Sequence, residues 1–294
     1  MPSPRDIRRR IKSVKNTAQI TKAMEKVAQA KMAKAQQAAL NGRPYAEVMN
    51  RVLSEVVTHA GEFEHPYMVQ RDGDRRALIL VTTDKGLCGA LNTNLLRMVS
   101  DEFVTDDTKI VSAGRKGAQH AIRSGWDLAA EFSFGDPPAF AEARSITKLA
   151  VDLFERGEVD QVDIAFTNFV NTITQNPEVH QLLPIAEIEG VQAGVEGEET
   201  STALAGGATE FEFEPNAGDV LGQLLPHYIN FKVHQILLES RASEHSARMV
   251  AMKNATDNAN QLIKDLTLEY NKLRQAAITN ELLEITTAQM ALGN

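Results

Sequence analysis

The chain has 294 residues, of which 43% are hydrophobic and 5% aromatic, and its formal net charge is −8. Its one cysteine, Cys88, excludes an intramolecular disulfide framework and a four-cysteine zinc site. No apolar run reaches the roughly 20 residues of a membrane-spanning helix, and residues 1–10 lack the apolar core of a secretory signal. We therefore expect a protein that is soluble or only peripherally bound to a membrane.

The N-terminal end predicts a long amphipathic helix. From about Asp6 to Leu40 there is no Pro or Gly. A break is expected at residues 41–44, Asn-Gly-Arg-Pro, after which helical periodicity resumes over Tyr45–Thr58. Apolar or small residues recur at alternating steps of three and four, which is the pattern of a helical seam, at Ile7, Ile11, Val14, Ala18, Thr21, Met24 and Ala28.

Positive charge is concentrated at the same end. Residues 1–43 carry eleven basic and two acidic side chains, a net charge of +9 against −17 for the remainder of the chain. This asymmetry suggests that the basic end meets an acidic partner. Nucleic acid, an anionic membrane or simple solvation would give the same pattern, and charge alone does not choose among them.

The C-terminal end predicts a second long helix, from Asp219 to about Ala291. Pro226 removes a helical donor, so we expect a kink or a delayed start there. Large side chains are sparse between Ser240 and Asn260, and small residues let two helices approach closely. The two terminal helices are thus predicted to form an antiparallel coiled coil, and the C-terminal seam is placed at Leu221, Leu225, Tyr228, Ile236, Ala247, Val250, Leu262, Leu266, Leu273 and Ala277.

The middle of the chain shows a different pattern, in which short apolar runs alternate with helical segments. Such alternation favours βαβ units and hence a Rossmann-like α/β domain with a largely parallel sheet. Strands are predicted at Arg76–Thr82, Lys109–Ala113 and Leu128–Phe132, and helices at Asn92–Phe103, Gly117–Arg123 and Ala139–Arg156.

Two further strands, Val162–Val170 and Val179–Ile185, are expected to form a hairpin through a polar turn at Asn176 and Pro177. The segment 190–209 is rich in Gly, Ala, Thr and Glu and predicts a mobile loop. The fold class is therefore α/β, with a division into an N-terminal coiled-coil helix, an α/β domain, an acidic loop and linker, and a C-terminal coiled-coil helix, at 1–60, 75–189, 190–215 and 216–294.

One motif stands where nucleotide phosphates are often bound, the glycine-rich turn Asp84–Asn92 between a strand and a helix. It matches neither GxxxxGK[ST] nor GxGxxG, so a tight strand-to-helix turn is favoured over a small-ligand site. The seven histidines form no HExxH or close ligand cluster. No G-x-S-x-G is present and no base is positioned for Cys88, so we predict no catalytic, metal or cofactor site.

Three stretches closely resemble the γ subunits of F-type ATP synthases, in the same order and spacing. They are Ile7–Met32 (IRRRIKSVKNTAQITKAMEKVAQAKM), Asp84–Asn92 (DKGLCGALN) and Glu244–Thr286 (EHSARMVAMKNATDNANQLIKDLTLEYNKLRQAAITNELLEIT). The resemblance spans the chain and is weakest between about Gly135 and Gly207. It implies a central rotor shaft that couples proton-driven rotation of the c-ring to conformational changes in catalytic β subunits, with no active site and no cofactor of its own.

The resemblance also implies partners and contact residues. The partners are three α and three β subunits, ε, δ and the c-ring of the same complex, with no nucleic acid. By matching motif positions, β-subunit contacts fall at Arg274, Gln275, Thr279, Lys85, Met24, Arg8 and Arg9. The vicinity of ε and the c-ring includes Tyr45, Phe211 and Glu214. Lys85 replaces an Arg found in some relatives, which argues against bidentate pairing there.

Without a presequence, the expected location is peripheral, on the cytoplasmic side of a bacterial inner membrane. Two other classes stay open from the residues alone. A nucleic-acid-binding coiled-coil protein would use Arg8, Arg9 and Arg10 and bind in a salt-dependent way. An α/β enzyme would bind a small phosphate ligand at the Gly86–Gly89 turn.

Overall fold

The structure, a computed structural model, describes residues 3–59, 65–185 and 216–292. It contains two compact units: Met1–Val27 with Met249–Asn294, here called unit 1, and Ala28–Arg248, here called unit 2. None of the helices in the described ranges is long and apolar enough to cross a membrane. The helices are α1 Pro4–Asn41, α2 Arg43–His59, α3 Leu91–Glu102, α4 Arg115–Ser124, α5 Phe140–Glu155 and α6 Ala217–Leu292.

Five strands in unit 2 form one sheet in the order β3-β2-β1-β4-β5. The first four pair in parallel and β5 is antiparallel to β4. The prediction of an α/β fold with a mostly parallel central sheet and long terminal helices is confirmed. The strands are β1 Arg76–Val81, β2 Thr108–Ala113, β3 Asp127–Phe132, β4 Gln161–Phe169 and β5 Gln175–Leu183.

The central strand β1 is buried on both faces because helices cover the sheet from both sides. Side chains of a strand alternate between faces, so β1 contributes to two separate cores. Ala77, Ile79 and Val81 pack in the core that includes Ile146 and Phe154 of α5. Leu78 and Leu80 pack in the other, with α3 and α4 residues that include Leu95, Val99 and Ala121.

The predicted hairpin exists, but its turn was placed wrongly. Asn176 and Pro177 lie within β5, where Pro177 faces Thr167 of β4. A proline is tolerated there because β5 is an edge strand, in which half of the backbone N–H groups need no ladder partner. The turn is instead made at Asn171, whose side-chain oxygen accepts hydrogen bonds from the backbone N–H groups of Ile173 and Thr174 at 2.9 and 2.8 Å.

Of the two expectations for Pro226, the delayed start is wrong, since α6 begins at Ala217 and passes through Pro226, while the kink stays a prediction. A proline inside a helix costs about 3 kcal/mol. Leu221, Leu225 and Tyr228 on either side of it are buried in the main core of unit 2, and their burial offsets that cost.

In unit 1 the N-terminal and C-terminal helical segments pack against each other. The Oγ1 atoms of Thr21 and Thr256 share a buried hydrogen bond of 2.7 Å. An antiparallel alignment through this pair places residues 1–27 opposite about residues 250–276, which the same unit contains, whereas a parallel one would leave half of them outside it. The buried seam of unit 1 includes Ile7, Ala18, Thr21, Met252, Thr256, Ala259 and Leu266.

The seam prediction fails at one residue. Leu262 is 41% exposed, and the neighbouring Ile263 is half-buried in its place. The buried positions Met252, Thr256 and Ala259 follow alternating steps of four and three, and the next step of four leads to 263.

In unit 2 the remaining parts of α1 and α6 approach closely through small residues. Ala35 and Ala242 share a small core with Phe169. A Cβ added at Gly42, between α1 and α2, would lie 2.3 Å from the side-chain nitrogen of Gln235, so a larger residue at 42 would force the Gln235 side chain to move. These two pairs run in opposite directions along the helices, as an antiparallel packing requires.

Candidate functional site: the glycine-rich turn and its helix

The turn after β1 is built around the side chain of Asn92 in the first turn of α3. Its amide nitrogen donates to Thr83 Oγ1 at 2.8 Å and to the sulfur of Cys88 at 3.4 Å, and its oxygen accepts from the Thr83 backbone N–H at 3.2 Å. Thr83 Oγ1 in turn donates to the carbonyl of Lys85 at 2.8 Å. Cys88 is buried inside this arrangement, which gives its thiol a packing role.

The tip of the turn has an unusual backbone. Leu87 and Gly89 both have positive φ angles, 66° and 62°. Glycine adopts positive φ angles freely, whereas the same conformation is sterically strained for leucine. The Leu87 side chain is nonetheless 61% exposed, and Lys85 beside it is exposed as well. The turn therefore displays one cation and one apolar side chain.

Asp84 fastens the start of the turn to two other elements. Its Oδ1 accepts from the backbone N–H of Arg115 at the first residue of α4, at 3.1 Å. Its Oδ2 accepts from Arg241 of α6 at 3.2 Å. Arg241 also donates to the carbonyl of Phe134 at 2.7 Å and lies 4.1 Å above the Phe134 ring. This guanidinium is nearly buried, with its side chain 6% exposed.

A second arginine of α6 holds the next two residues. Arg248 donates from Nη2 to the carbonyls of Lys85 and Gly86, at 3.1 and 3.3 Å. Its Nη1 pairs with Glu244 Oε1 at 2.8 Å, while the other Glu244 oxygen accepts from Arg241 at 2.5 Å. The steps of three and four residues place these three side chains on one face of α6.

His245 extends the charged cluster to α1. Its Nε2 lies 3.0 Å from Asp136 Oδ2, which also accepts from Lys31 at 2.8 Å. Burial disfavours the imidazolium and lowers the pKa of His245, although Glu244 and Asp136 oppose this. The pKa of Asp136 is lowered as well: burial raises it, but the Lys31 hydrogen bond and the His245 interactions prevail. An ionised Asp136 only accepts, so the imidazole proton sits on Nε2.

The foot of the predicted shaft is described in part. Tyr45 is partly exposed on α2, where its hydroxyl bonds to His227 and its ring packs 4.8 Å from Phe231. Phe211 and Glu214, the other two residues expected near ε and the c-ring, lie outside the described residues, as does the 190–209 loop.

The predicted β-subunit contacts in unit 1 fall on exposed helix surfaces. Arg274, Gln275 and Thr279 are exposed on α6, and Arg8 and Arg9 are exposed on α1. Met24 is half-buried on the α1 seam. Beyond residue 277 every α6 side chain that the structure describes is exposed, because α1 begins at Pro4 and that start lies opposite about residue 273.

The charged cluster itself was not predicted. Arg241 and Arg248 read as polar positions of a long helix, and nothing local indicates that their partners lie over a hundred residues away on a turn and a loop. The one available signal was the i, i+3, i+7 spacing of Arg241, Glu244 and Arg248, which places three charges on a helix face that also contains small residues.

The geometry of the turn gives little support to a phosphate-ligand site at Gly86–Gly89. The carbonyls of Lys85 and Gly86 point at a guanidinium, an arrangement that suits a cation and not a phosphate. Across the described ranges no three His, Cys, Asp or Glu residues are grouped closely enough to hold a metal ion.

Comparison with known proteins decides the family. The family model described as ATP synthase matches residues 3–292. The curated ATP synthase gamma chain of Opitutus terrae is 51% identical over 299 residues, with 100% of both chains covered. The chain belongs to the ATP synthase gamma chain family.

Solved structures agree with this family at the level of the fold. The central stalk and c-ring structure of the Tetrahymena thermophila mitochondrial ATP synthase contains a chain that is 26% identical, with a TM-score of 0.58, covering 80% of this chain and 99% of that one. A chain of the Euglena gracilis mitochondrial ATP synthase matches with a TM-score of 0.67 and 20% identity, over 98% and 94% of the two chains.

Proposed function

We propose that this chain is the central rotor shaft of an F-type ATP synthase, which couples proton-driven rotation of the c-ring to ATP synthesis, and the reverse rotation to hydrolysis. The observation that carries the proposal is the likeness to a gamma chain along the entire length of both proteins at 51% identity.

The mechanism follows from asymmetry. One shaft surrounded by three chemically equivalent β subunits presents a different face to each of them. Each orientation then favours a different β conformation and so a different affinity for ADP with phosphate or for ATP. The chain needs stiffness and distinct faces for this, and we infer that it contributes no active site of its own.

The end of α6 fits insertion into a protein ring. Ile278, Leu282, Leu283 and Ile285 are between 49% and 58% exposed. A stretch of exposed large apolar side chains on one helix end marks a surface that a partner covers. We assign this partner to the ring of three α and three β subunits.

We also infer specific contacts at the residues that match β-contact positions of the family. Arg274 supplies charge-assisted hydrogen bonds to a β loop, together with Gln275 and Thr279. Arg8 and Arg9 on α1 and Lys85 on the glycine-rich turn meet acidic parts of β, and Met24 packs nearby. Unit 2, with Tyr45 on its surface, faces ε and the c-ring, and δ completes the complex. The division at 1–60, 75–189, 190–215 and 216–294 is part of the same proposal.

Location follows from the complex. We infer that the chain is a peripheral protein on the cytoplasmic side of a bacterial inner membrane, held there by its assembly partners. The bacterial origin rests on its likeness to gamma chains such as that of Opitutus terrae.

The test is co-expression with candidate α and β subunits, followed by native mass spectrometry and an ATPase assay with and without this chain. The proposal predicts one copy in a three-plus-three complex and cooperative ATP hydrolysis that depends on it. A stable chain that ignores α and β, or that binds DNA in a salt-dependent way through Arg8, Arg9 and Arg10, would instead support the nucleic-acid alternative. Saturable nucleotide binding by the isolated chain would support the enzyme alternative.

A further inference from the structure

We propose that Arg241, Glu244 and Arg248 form a clamp, here called the α6 clamp, that fixes the glycine-rich turn to α6 so that both move as one body. The clamp holds three consecutive residues of the turn by two different chemistries. Arg241 binds the carboxylate of Asp84 at 3.2 Å. Arg248 binds the backbone carbonyls of Lys85 and Gly86 at 3.1 and 3.3 Å.

Glu244 joins the two arginines into one structure. Each of its oxygens accepts from a different guanidinium, at 2.5 Å from Arg241 and 2.8 Å from Arg248. The three side chains are only 6%, 7% and 13% exposed, so the arginines are held in fixed positions by a carboxylate that water does not compete for. Neither arginine is free to swing away from the turn.

The turn itself lacks the packing that would fix it without the clamp. A Cβ added at Gly86 or Gly89 would meet no atom within 4 Å. Leu87 points into solvent, and Cys88 and Asn92 anchor the far side. Thr83 Oγ1 and the Arg115 N–H each give the near side one hydrogen bond, at Lys85 and Asp84. Segments with few packed neighbours open locally at low cost, so the three hydrogen bonds from α6 contribute strongly to the rigidity of the near side.

Stability alone does not account for such a group. Buried Arg-Glu-Arg triads can be replaced by apolar residues in some proteins with no loss of folding stability. What apolar residues cannot supply is a directed hydrogen bond to two carbonyls and a carboxylate. The α6 clamp therefore makes its three residues positioning residues for the turn that displays Lys85.

The consequence for torque rests on the proposed function. A force applied to the exposed Lys85 by a partner reaches α6 through the two hydrogen bonds of Arg248 to the Lys85 and Gly86 carbonyls. Without them the force would first bend the turn. The clamp itself stands on the contacts within unit 2 and does not depend on that function.

Hydrogen–deuterium exchange of the purified full chain, read by mass spectrometry, tests the clamp. In Arg248→Met we expect peptides covering residues 83–91 to exchange at least about tenfold faster, the loss expected for a hydrogen bond from a charged donor. Peptides covering β4, Gln161–Phe169, should exchange at the wild-type rate. The matched control is Arg123→Met, because Arg123 is exposed and bonds only to Gln119 of its own helix among the contacts described.

A smaller increase at residues 83–91, or an equal increase at β4, would overturn the proposal, since the arginine would then serve general stability. Should Arg248→Met fail to fold, Arg248→Lys decides by the same comparison. A lysine keeps a positive charge beside Glu244 but lacks the planar guanidinium, whose two terminal nitrogens contact Glu244 and the two carbonyls separately. The measurement needs no partner subunit. Faster exchange at residues 83–91 in a chain that does not bind α and β would support the clamp and contradict the shaft. Unchanged exchange in a chain that does bind α and β would contradict the clamp and support the shaft.

Discussion

The surroundings of His245 change the pKa of its side chain. Four charged side chains face or adjoin it: Asp136, Lys31, Glu244 and Arg248. Its pKa is nevertheless lowered, because burial penalises the charged form more than the two carboxylates favour it. A neutral imidazole also suits the hydrogen bond at Nδ1, which accepts from Arg248 at 3.4 Å.

We expect the free energy of unfolding to fall as pH drops below the ordinary histidine pKa of about 6.5. Below that pH the unfolded chain binds a proton that the folded chain resists, so His245 contributes its stability above pH 6.5 and loses it towards the lowered folded pKa. Urea unfolding at pH 7.5 and 5.5 should show that the free energy of unfolding of the wild type decreases with falling pH. The decrease should be smaller in His245→Gln, by up to about 1.4 kcal/mol for each pH unit below 6.5. Equal losses in both proteins would show that His245 does not titrate this way.

At the scale of elements, the seam of unit 1 is set by alternating steps of three and four, and Ile263 lies on it while Leu262 does not. This neighbouring pair offers a matched comparison, because both are apolar residues of similar volume on the same helix. Only their angular position differs.

We predict that Ile263→Ala lowers the free energy of unfolding by about 1–2 kcal/mol, less than for a fully buried isoleucine. Leu262→Ala should change it by no more than about 0.5 kcal/mol, as expected for a surface position. Urea unfolding followed by helical circular dichroism measures both. Equal effects of the two substitutions would contradict the packing described for unit 1.

The exposed end of α6 makes a second prediction at this scale. Deleting residues 278–294 should leave the unfolding free energy of the isolated chain within about 0.5 kcal/mol of wild type, because residues 278–289 bury nothing in it. A deletion of residues 262–294 also removes Ile263 and Leu266 from the seam of unit 1. It should unfold unit 1 and leave the protection of β4 against hydrogen–deuterium exchange unchanged. Loss of β4 protection would show that the two units do not fold independently.

Most helices and strands could be predicted to within a few residues, because hydrophobic residues recur with a helical period of three to four in some segments and form short apolar runs in others. It failed where tertiary context prevailed: Pro226 inside α6, Pro177 inside an edge strand, and Ile263 in place of Leu262. The α6 clamp could not have been predicted, since its hydrogen bonds join residues more than 150 positions apart in the chain. The motif Asp84–Asn92 identified the turn, but it gave no indication that Arg241 and Arg248 bind it.

At the scale of the whole molecule, charge is divided unevenly. The basic excess of residues 1–43 is displayed by exposed side chains such as Arg8 and Arg9, in a protein whose net charge is −8. Long-range attraction between such a surface and an acidic partner speeds association and is screened by salt.

Replacing Arg8 and Arg9 together by glutamate should slow association with α and β at least several-fold at low salt, with a smaller effect at high salt. Surface plasmon resonance across a salt series measures this, and Lys109→Glu is the control because Lys109 pairs with Glu158 in unit 2. An effect of equal size from the control, or one that salt does not reduce, would argue against steering by the basic end.

Rotation itself is the most direct test of the shaft. Cys88 is buried, so a cysteine introduced at Ile173, which is 84% exposed on the β4–β5 turn, gives one reactive attachment point for a gold rod. With the three-plus-three ring fixed to a surface, the account predicts that adding ATP makes the rod turn persistently in one direction. A rod that stays fixed while the ring hydrolyses ATP at the full rate would contradict it.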